Sequence, residues 1–174
     1  MKRPMQLLTP AGLCAMAIGY ALAQSPARPP ITAVSHIALY SANPASSEHF
    51  YVHDLGAVKR PDPENAAGAR YYFAPTQFVE VLPLPPGPRS INRLDHVAFA
   101  TSDARRLRDY LGSKKIAVPT DIHRGADGSR WFEVTDPEGN RVEFVQPPER
   151  PAPVPVNPLS SHMIHVGFII HNRA

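Results

Sequence analysis

Cysteine is almost missing from this chain of 174 residues; Cys14 is the only one. It lies in a leader that is expected to be removed, so the mature chain would hold none. That excludes a disulfide framework and a thiol nucleophile. An exported chain without cysteine must be held by its core, with a metal as the other available clamp. A charge imbalance is lacking too. The chain has 18 basic and 15 acidic residues, and removing Lys2 and Arg3 leaves 16 against 15. No aromatic-interleaved basic stripe or basic helix face is present, which excludes nucleic acid as the expected partner. Nor is there an apolar run that spans a bilayer comfortably, because Pro10 interrupts the first one.

What is there begins with a leader. Lys2 and Arg3 open it, Met5 to Ala23 is small or apolar, and Ala21-Leu22-Ala23 is a small-x-small cleavage site. Residues 1–23 therefore read as a signal peptide. Leu13 before Cys14 is a poor fit to lipid attachment. The expectation is export to the periplasm or the outside, with no stable membrane insertion after leader cleavage.

Proline then divides the chain. Residues 24–32 read as a proline-containing linker, 83–88 (PLPPGP) as a stiff connector and 148–160 as a longer proline-rich linker. Between them lies one expected domain, 33–147, made of modules 33–82 and 89–146. Its length, about 115 residues, is ordinary for a single core.

A repeated phrase ties the modules together. His-(Ile/Val)-(Ala/Gly)-(Leu/Phe) occurs at His36, His96 and His165. After the first two copies comes an apolar strand with a central glutamate, Glu80 in FVEVL and Glu143 in RVEFV. Duplication is the first thing to recognise in such a chain. The order of elements repeats as well. Module one reads as a strand Ala33–Tyr40, a helix capped by Asn43-Pro44 and ended by Gly56, a short strand near 57–60, then Arg70–Ala74 and Gln77–Leu82. Module two reads as a strand Leu94–Ala100, a helix capped by Asp103 and ended at Gly112, then strands near Ile116–His123, Arg130–Thr135 and Asn140–Gln146. Asp127-Gly128 and Asp136 to Gly139 are the turns. The fold class is α+β: two tandem βαβββ modules forming paired curved mixed sheets around a metal-binding cleft, with helices on the outer faces. Residues 161–174 repeat only the first strand, and we expect them to open a truncated third module.

Alternation along the strands carries the functional reading. Ile37 and Leu39 oppose His36 and Ala38; Val97 and Phe99 oppose His96 and Ala98. Val79 and Val81 oppose Glu80, and Val142 and Phe144 oppose Glu143. The bulky faces should pack on helix stripes, Phe50 with Leu55 and Leu107 with Tyr110 and Leu111. The faces with small neighbours should line a cleft. His36, Glu80, His96 and Glu143 then converge as a set for one divalent ion. Imidazole and carboxylate donors suit zinc, nickel, iron(II), manganese or cobalt.

Other residues rank lower. His49 and His53 flank the first helix stripe and read as a solvated face. His123, Arg124 and Arg130 fall where cleft walls form and could meet an anionic substrate. Tyr40, Tyr72, Phe78 and Trp131 are candidate cleft aromatics. His162 and His171 have no assigned role, and His165 lacks a carboxylate partner.

With SHIALYSAN, FYVHDLGA, FVEVLP, LDHVAFATSD and FEVTDPEGNRVEFVQP on the page, residues 31–146 resemble the vicinal oxygen chelate superfamily. This covers glyoxalase I, extradiol dioxygenases and fosfomycin- and bleomycin-resistance proteins. A glyoxalase I-like likeness implies that His36, Glu80, His96 and Glu143 hold the metal, with Glu143 or Glu80 as catalytic base. A dioxygenase-like likeness implies His36, His96 and Glu143 around iron(II). Either implies a small-molecule substrate with vicinal oxygens, chelated so that the metal stabilises an enolate. The leader argues against glyoxalase I proper, whose glutathione adduct is cytosolic. The expected function is a metal-dependent lyase or isomerase. The alternatives are an extradiol-type dioxygenase and a non-catalytic binding protein of resistance type. A homodimer, or pairing with missing C-terminal modules, is the assembly the resemblance leaves open.

Overall fold

A computed structural model describes residues 27–86, 93–157 and 162–167. The leader 1–23, the ends of both proline-rich connectors and His171 lie outside the described residues. Module one comprises β1 (Ile31–Ser41), helix α1 (Pro44–Glu48) running into a π-helical turn (His49–Asp54), β2 (Val58–Pro61), β3 (Ala69–Ala74) and β4 (Gln77–Pro83). Module two comprises β5 (Leu94–Thr101), α2 (Ala104–Ser113), β6 (His123–Arg124), β7 (Arg130–Thr135) and β8 (Arg141–Gln146). The expected βαβββ order holds in both.

Local chemistry explains the boundaries. Asn43 Oδ1 accepts from the Ser46 amide at 3.1 Å, with Pro44 at the first helical position. Asp103 Oδ1 accepts from the Arg106 amide at 3.0 Å. Each cap satisfies one of the donors a helix start leaves free. Gly56 ends the first helix with φ +70°, the left-handed conformation that glycine adopts without a Cβ penalty.

Three expectations need correction. The first helix does not stay α-helical. Leu55 N donates to Phe50 O at 3.0 Å, a bond five residues back. The wider turn rotates the stripe, so Phe50 is 49% exposed while Tyr51, Val52 and Leu55 reach the core. The second helix passes Gly112 and stops at Ser113, followed by Lys115 at φ +64°. The strand expected over Ile116–His123 shrinks to His123–Arg124, because Pro119 has no amide to give a ladder. Residues 162–167 form no strand; the rest of the expected third-module opening, residue 161 and residues 168–174, lies outside the described residues.

The eight strands form one sheet in the order β2-β3-β4-β1-β5-β8-β7-β6. The outer joins within each module are antiparallel, β1–β4 and β5–β8 are parallel, and β1 and β5 meet antiparallel at the centre. The paired sheets are thus fused along one seam. Each half packs its bulky face under its own helix. Ala57, Tyr71, Phe73, Val79 and Val81 form one core, with Ile37 and Leu39 against it. Ala104, Leu107, Phe132 and Phe144 form the other, with Phe99, Leu111 and Val142 against it. Among the described residues no helix is long and apolar enough to cross a membrane.

Leu107 is 1% exposed, so Leu107→Ala should cost about 2–5 kcal/mol. Phe50→Ala should cost less than about 0.5 kcal/mol, as a surface change does. Urea unfolding of both variants checks this; equal losses would contradict the rotated helix stripe.

Candidate metal centre

The seam between β1 and β5 sets the site. Its register pairs His36 with Ala98, Ile37 with Val97, and Ala38 with His96. On the outer flank of β1, Ala38 pairs with Glu80; on the outer flank of β5, Ala98 pairs with Glu143. Two rows result, Glu80–Ala38–His96 and His36–Ala98–Glu143. Each has an alanine in the middle, and the methyl groups leave room for the larger side chains to lean inward.

The ladder is regular only across those three pairs. On either side it shifts. One shift leaves Ser35 as an extra residue in β1, and another leaves Asp95 as an extra residue in β5. A bulged residue escapes the strict alternation of a strand. Each precedes a histidine and bonds its Nδ1: Ser35 Oγ lies 3.2 Å from His36 Nδ1, and Asp95 Oδ2 lies 2.8 Å from His96 Nδ1. Both Nε2 atoms are thereby turned to the middle, 3.0 Å apart. Phe78 stacks on the His36 ring with centroids 4.3 Å apart. Asp95 is itself held by Tyr40 Oη, which donates to it, and by Arg141 Nη1 at 2.8 Å.

The carboxylates close the group. Glu143 Oε1 is 3.7 Å from His36 Nε2, and Glu143 Oε2 is 3.8 Å from His96 Nε2. His36, Glu80 and His96 each offer a ligand atom within 4.8 Å of the others. All four side chains are buried, 4–6% exposed. The donors fit a divalent ion. Two imidazole nitrogens at about 2.1 Å from one ion stand about 3 Å apart when they meet it near a right angle. Second-partner bonds at both Nδ1 atoms are what metal-ligating histidines carry.

Electrostatics separate the members. Burial, then His96 and Arg70, hold His36 well below the usual imidazole value. Burial opposes charge on His96 as well, but the bond to Asp95 and the fields of Glu143 and Glu80 raise it. In the metal-free protein these surroundings favour a proton on His96 over one on His36. Burial pushes Glu143 up to about 7, against the pull of His96 and with help from Glu133. Burial and Asp62 raise Glu80, against the pull of Arg70.

Sequence reading missed Arg70. It pairs with Glu80 across the β3–β4 ladder and binds it at 3.1 Å. Asp62 and Asp127 hold its other nitrogens at 3.2 and 3.5 Å. Its place beside Glu80 was readable from strand spacing, but its partners from two loops were not. The centre forms the floor of a cavity of about 450 Å³. Tyr72, Phe78 and Trp131 line it, as do Arg60, Arg70, Arg141 and Arg150. Arg124, Arg130 and His123 are exposed and outside that lining; the His123 ring instead stacks on Trp131, centroids 4.2 Å apart. His49 and His53 are exposed on the helix, away from the centre. His165 is exposed too.

Comparisons agree with this architecture. Methylmalonyl-CoA epimerase of Streptomyces coelicolor superposes with TM-score 0.55 at 19% identity, over 68% of this chain and 99% of that one. A 2,3-dioxygenase from Pseudomonas sp. KL28 gives 0.55 at 19%, over 69% of this chain and 44% of that. The Mn(II)-bound glyoxalase from Novosphingobium aromaticivorans gives 0.55 at 22%, over 65% and 37%. The chain thus spans less than half of the latter two. A comparison with curated proteins finds no match. The family model for the Glyoxalase/Bleomycin resistance protein/Dioxygenase superfamily matches residues 33–144, most of the chain, and the protein belongs to that superfamily.

Proposed function

We propose that this protein is a divalent-metal-dependent enzyme of lyase or isomerase type, acting on a small molecule with two adjacent oxygens. One observation carries the reading. Two buried imidazoles present Nε2 atoms 3.0 Å apart, with a carboxylate within 3.8 Å of both, on the floor of a cavity. His36, His96 and Glu80 would hold the ion, with Glu143 in reach as a further ligand that can let go. A bound ion would supply Lewis acidity, drawing charge onto substrate oxygens. The chain supplies the rest. Ser35 and Asp95 fix the rings, Arg70 fixes Glu80, and the cavity walls exclude water. Burial above all holds Glu143 at about 7 in the metal-free protein, so once it lets go of the ion its surroundings favour taking up a proton at neutral pH. It would take a proton at one carboxylate oxygen from a substrate carbon and return it to the neighbouring one.

A second reading has its own support. Arg70 Nε already engages Glu80 Oε1, and if Glu80 keeps to that ion pair, His36, His96 and Glu143 remain as two histidines and one carboxylate. That set is typical of non-haem iron(II) oxygenases, so the dioxygenase alternative stands beside the first. The epimerase, dioxygenase and glyoxalase neighbours support the fold common to both. The basic, apolar leader supports a further part of the proposal, that the enzyme works outside the cytoplasm.

Elemental mass spectrometry of the purified protein should find about one ion per chain. His96→Ala and Glu143→Ala should each lose most of it, since removing a ligand or its support typically costs 10–100-fold or more in affinity. Zinc or nickel would favour the isomerase, iron(II) the dioxygenase. No ion under any loading condition would sink both.

Stability of the chelator-treated protein should depend on pH through Glu143. Its folded value, about 7, lies above the ordinary 4.5. The folded chain therefore favours the protonated acid. That contribution is fully present below pH 4.5 and is lost as pH rises through about 7. Glu143→Gln should remove this loss and gain up to ~3 kcal/mol over the native protein between acid and pH 8. Parallel denaturation curves at each pH read the difference; a constant gap would contradict the raised acid.

A further inference from the structure

Residues 147–157 leave β8 and carry five prolines in eleven positions. Read as composition they are a spacer between domains. Their contacts are those of a wall. The segment has no helix or strand, and Pro147, Pro148, Arg150, Pro151 and Ala152 all face the cavity. Beyond them it is tied down on module one. Arg60 Nη2, on β2, donates to the Pro153 carbonyl at 2.6 Å. Asn157 is buried and its Nδ2 donates to Leu55 O at 2.8 Å, at the end of the first helix. Gly56 leaves space for that carboxamide: a Cβ there would stand 3.3 Å from Asn157 Oδ1. Farther on, Gln77 grips the Met163 backbone twice, both bonds at 3.1 Å.

The distances suit a crossing. From β8 to β2 there are five strand spacings, about 24 Å on a flat sheet at ~4.8 Å each. Seven residues of extended proline-rich chain from Gln146 to Pro153 cover about 22 Å at ~3.1 Å each. Proline suits such a cover. It has no amide donor to strand over a cavity, and its restricted backbone loses little entropy when fixed.

We propose that residues 147–157 are the fixed outer wall of the cavity and set the length of the molecule it admits. On the metal-chelating reading above, on which this rests, the substrate is held wholly between the His36–His96 centre and the prolines. Long tethered substrates are excluded.

Two variants of the full chain test this. Arg60→Met with Asn157→Ala removes the two ties within residues 147–157. Pro148→Gly with Pro151→Gly slackens the wall and leaves the ties. Trp131 lines the cavity and is the only tryptophan, so its fluorescence reports the wall without a metal. Quenching by acrylamide of the chelator-treated protein should rise about twofold or more in both variants, as the cavity opens to solvent. Cobalt-loaded protein is then titrated with acetohydroxamate, hexanohydroxamate and dodecanohydroxamate, which chelate through two adjacent oxygens. Native affinity should rise from the first to the second as apolar surface is buried, and fall at the third where the chain meets the wall. In both variants dodecanohydroxamate should gain about tenfold relative to acetohydroxamate, because only the longer chain reaches the wall. Unchanged quenching in both variants overturns the wall. So does an unaltered chain-length profile in variants that bind cobalt. If no form binds cobalt, the metal reading fails by itself, and quenching still decides whether the wall exists.

Discussion

Three residue pairs along the β1–β5 seam govern the rest of the molecule: His36 with Ala98, Ile37 with Val97, Ala38 with His96. They place two histidines symmetrically about the middle of the sheet and put an alanine beside each. A slip of one residue between the two strands would send one ring to the opposite face, under the helices, and part the pair. The bulges on either side guard against that. They confine regular pairing to this stretch and bring Ser35 and Asp95 round to the same face as the histidines. Register and ring orientation are thus consequences of one short ladder.

The alternation of bulky and small residues made most of this legible. Val79 and Val81 against Glu80, or Val142 and Phe144 against Glu143, declare which face is core, and both cores formed as that alternation implies. The caps at Asn43 and Asp103 were equally readable, since their chemistry is local. What escaped was non-local or off-period. Strict alternation puts Ser35 and Asp95 on the face opposite the histidines; a bulge adds one residue and leaves no compositional mark. The π-helical turn shifted Phe50 for the same reason. Pro119 did carry a warning, and it outweighed the β-branched residues around it. The prolines after Gln146 argue against helix and strand, and residues 147–157 have neither, but composition says nothing about what such a segment lies against.

Buried charge sets a second constraint. Arg70 is 6% exposed and meets Glu80, Asp62 and Asp127. Removing such ions from water costs several kcal/mol each, so a buried cluster is poor evidence of stability for its own sake. Its placement is more telling. Asp62 belongs to module one and Asp127 to module two, so Arg70 links loops from both halves over the cavity. Glu64 adds to the link by accepting from the Ala126 amide at 3.1 Å. Conflict with the usual economy of a core is expected where function is lodged.

Duplication copies positions, and the copies here are not chemically equal. Arg70 stands across the ladder from Glu80; the residue in the same relation to Glu143 is Glu133. A cation therefore faces one carboxylate and an anion the other. Arg70 draws Glu80 toward the charged form, whereas Glu133 adds to the burial that pushes Glu143 up to about 7. Glu133 in turn is held back by Arg141, which also grips Asp95 behind His96. Sites that pair two carboxyl groups in contrasting surroundings assign different tasks to each. A symmetric seam brings four donors together, and an arginine on β3 where β7 has a glutamate gives the two carboxylates different surroundings: burial raises both, but only Glu80 has a cation across its ladder to oppose that rise.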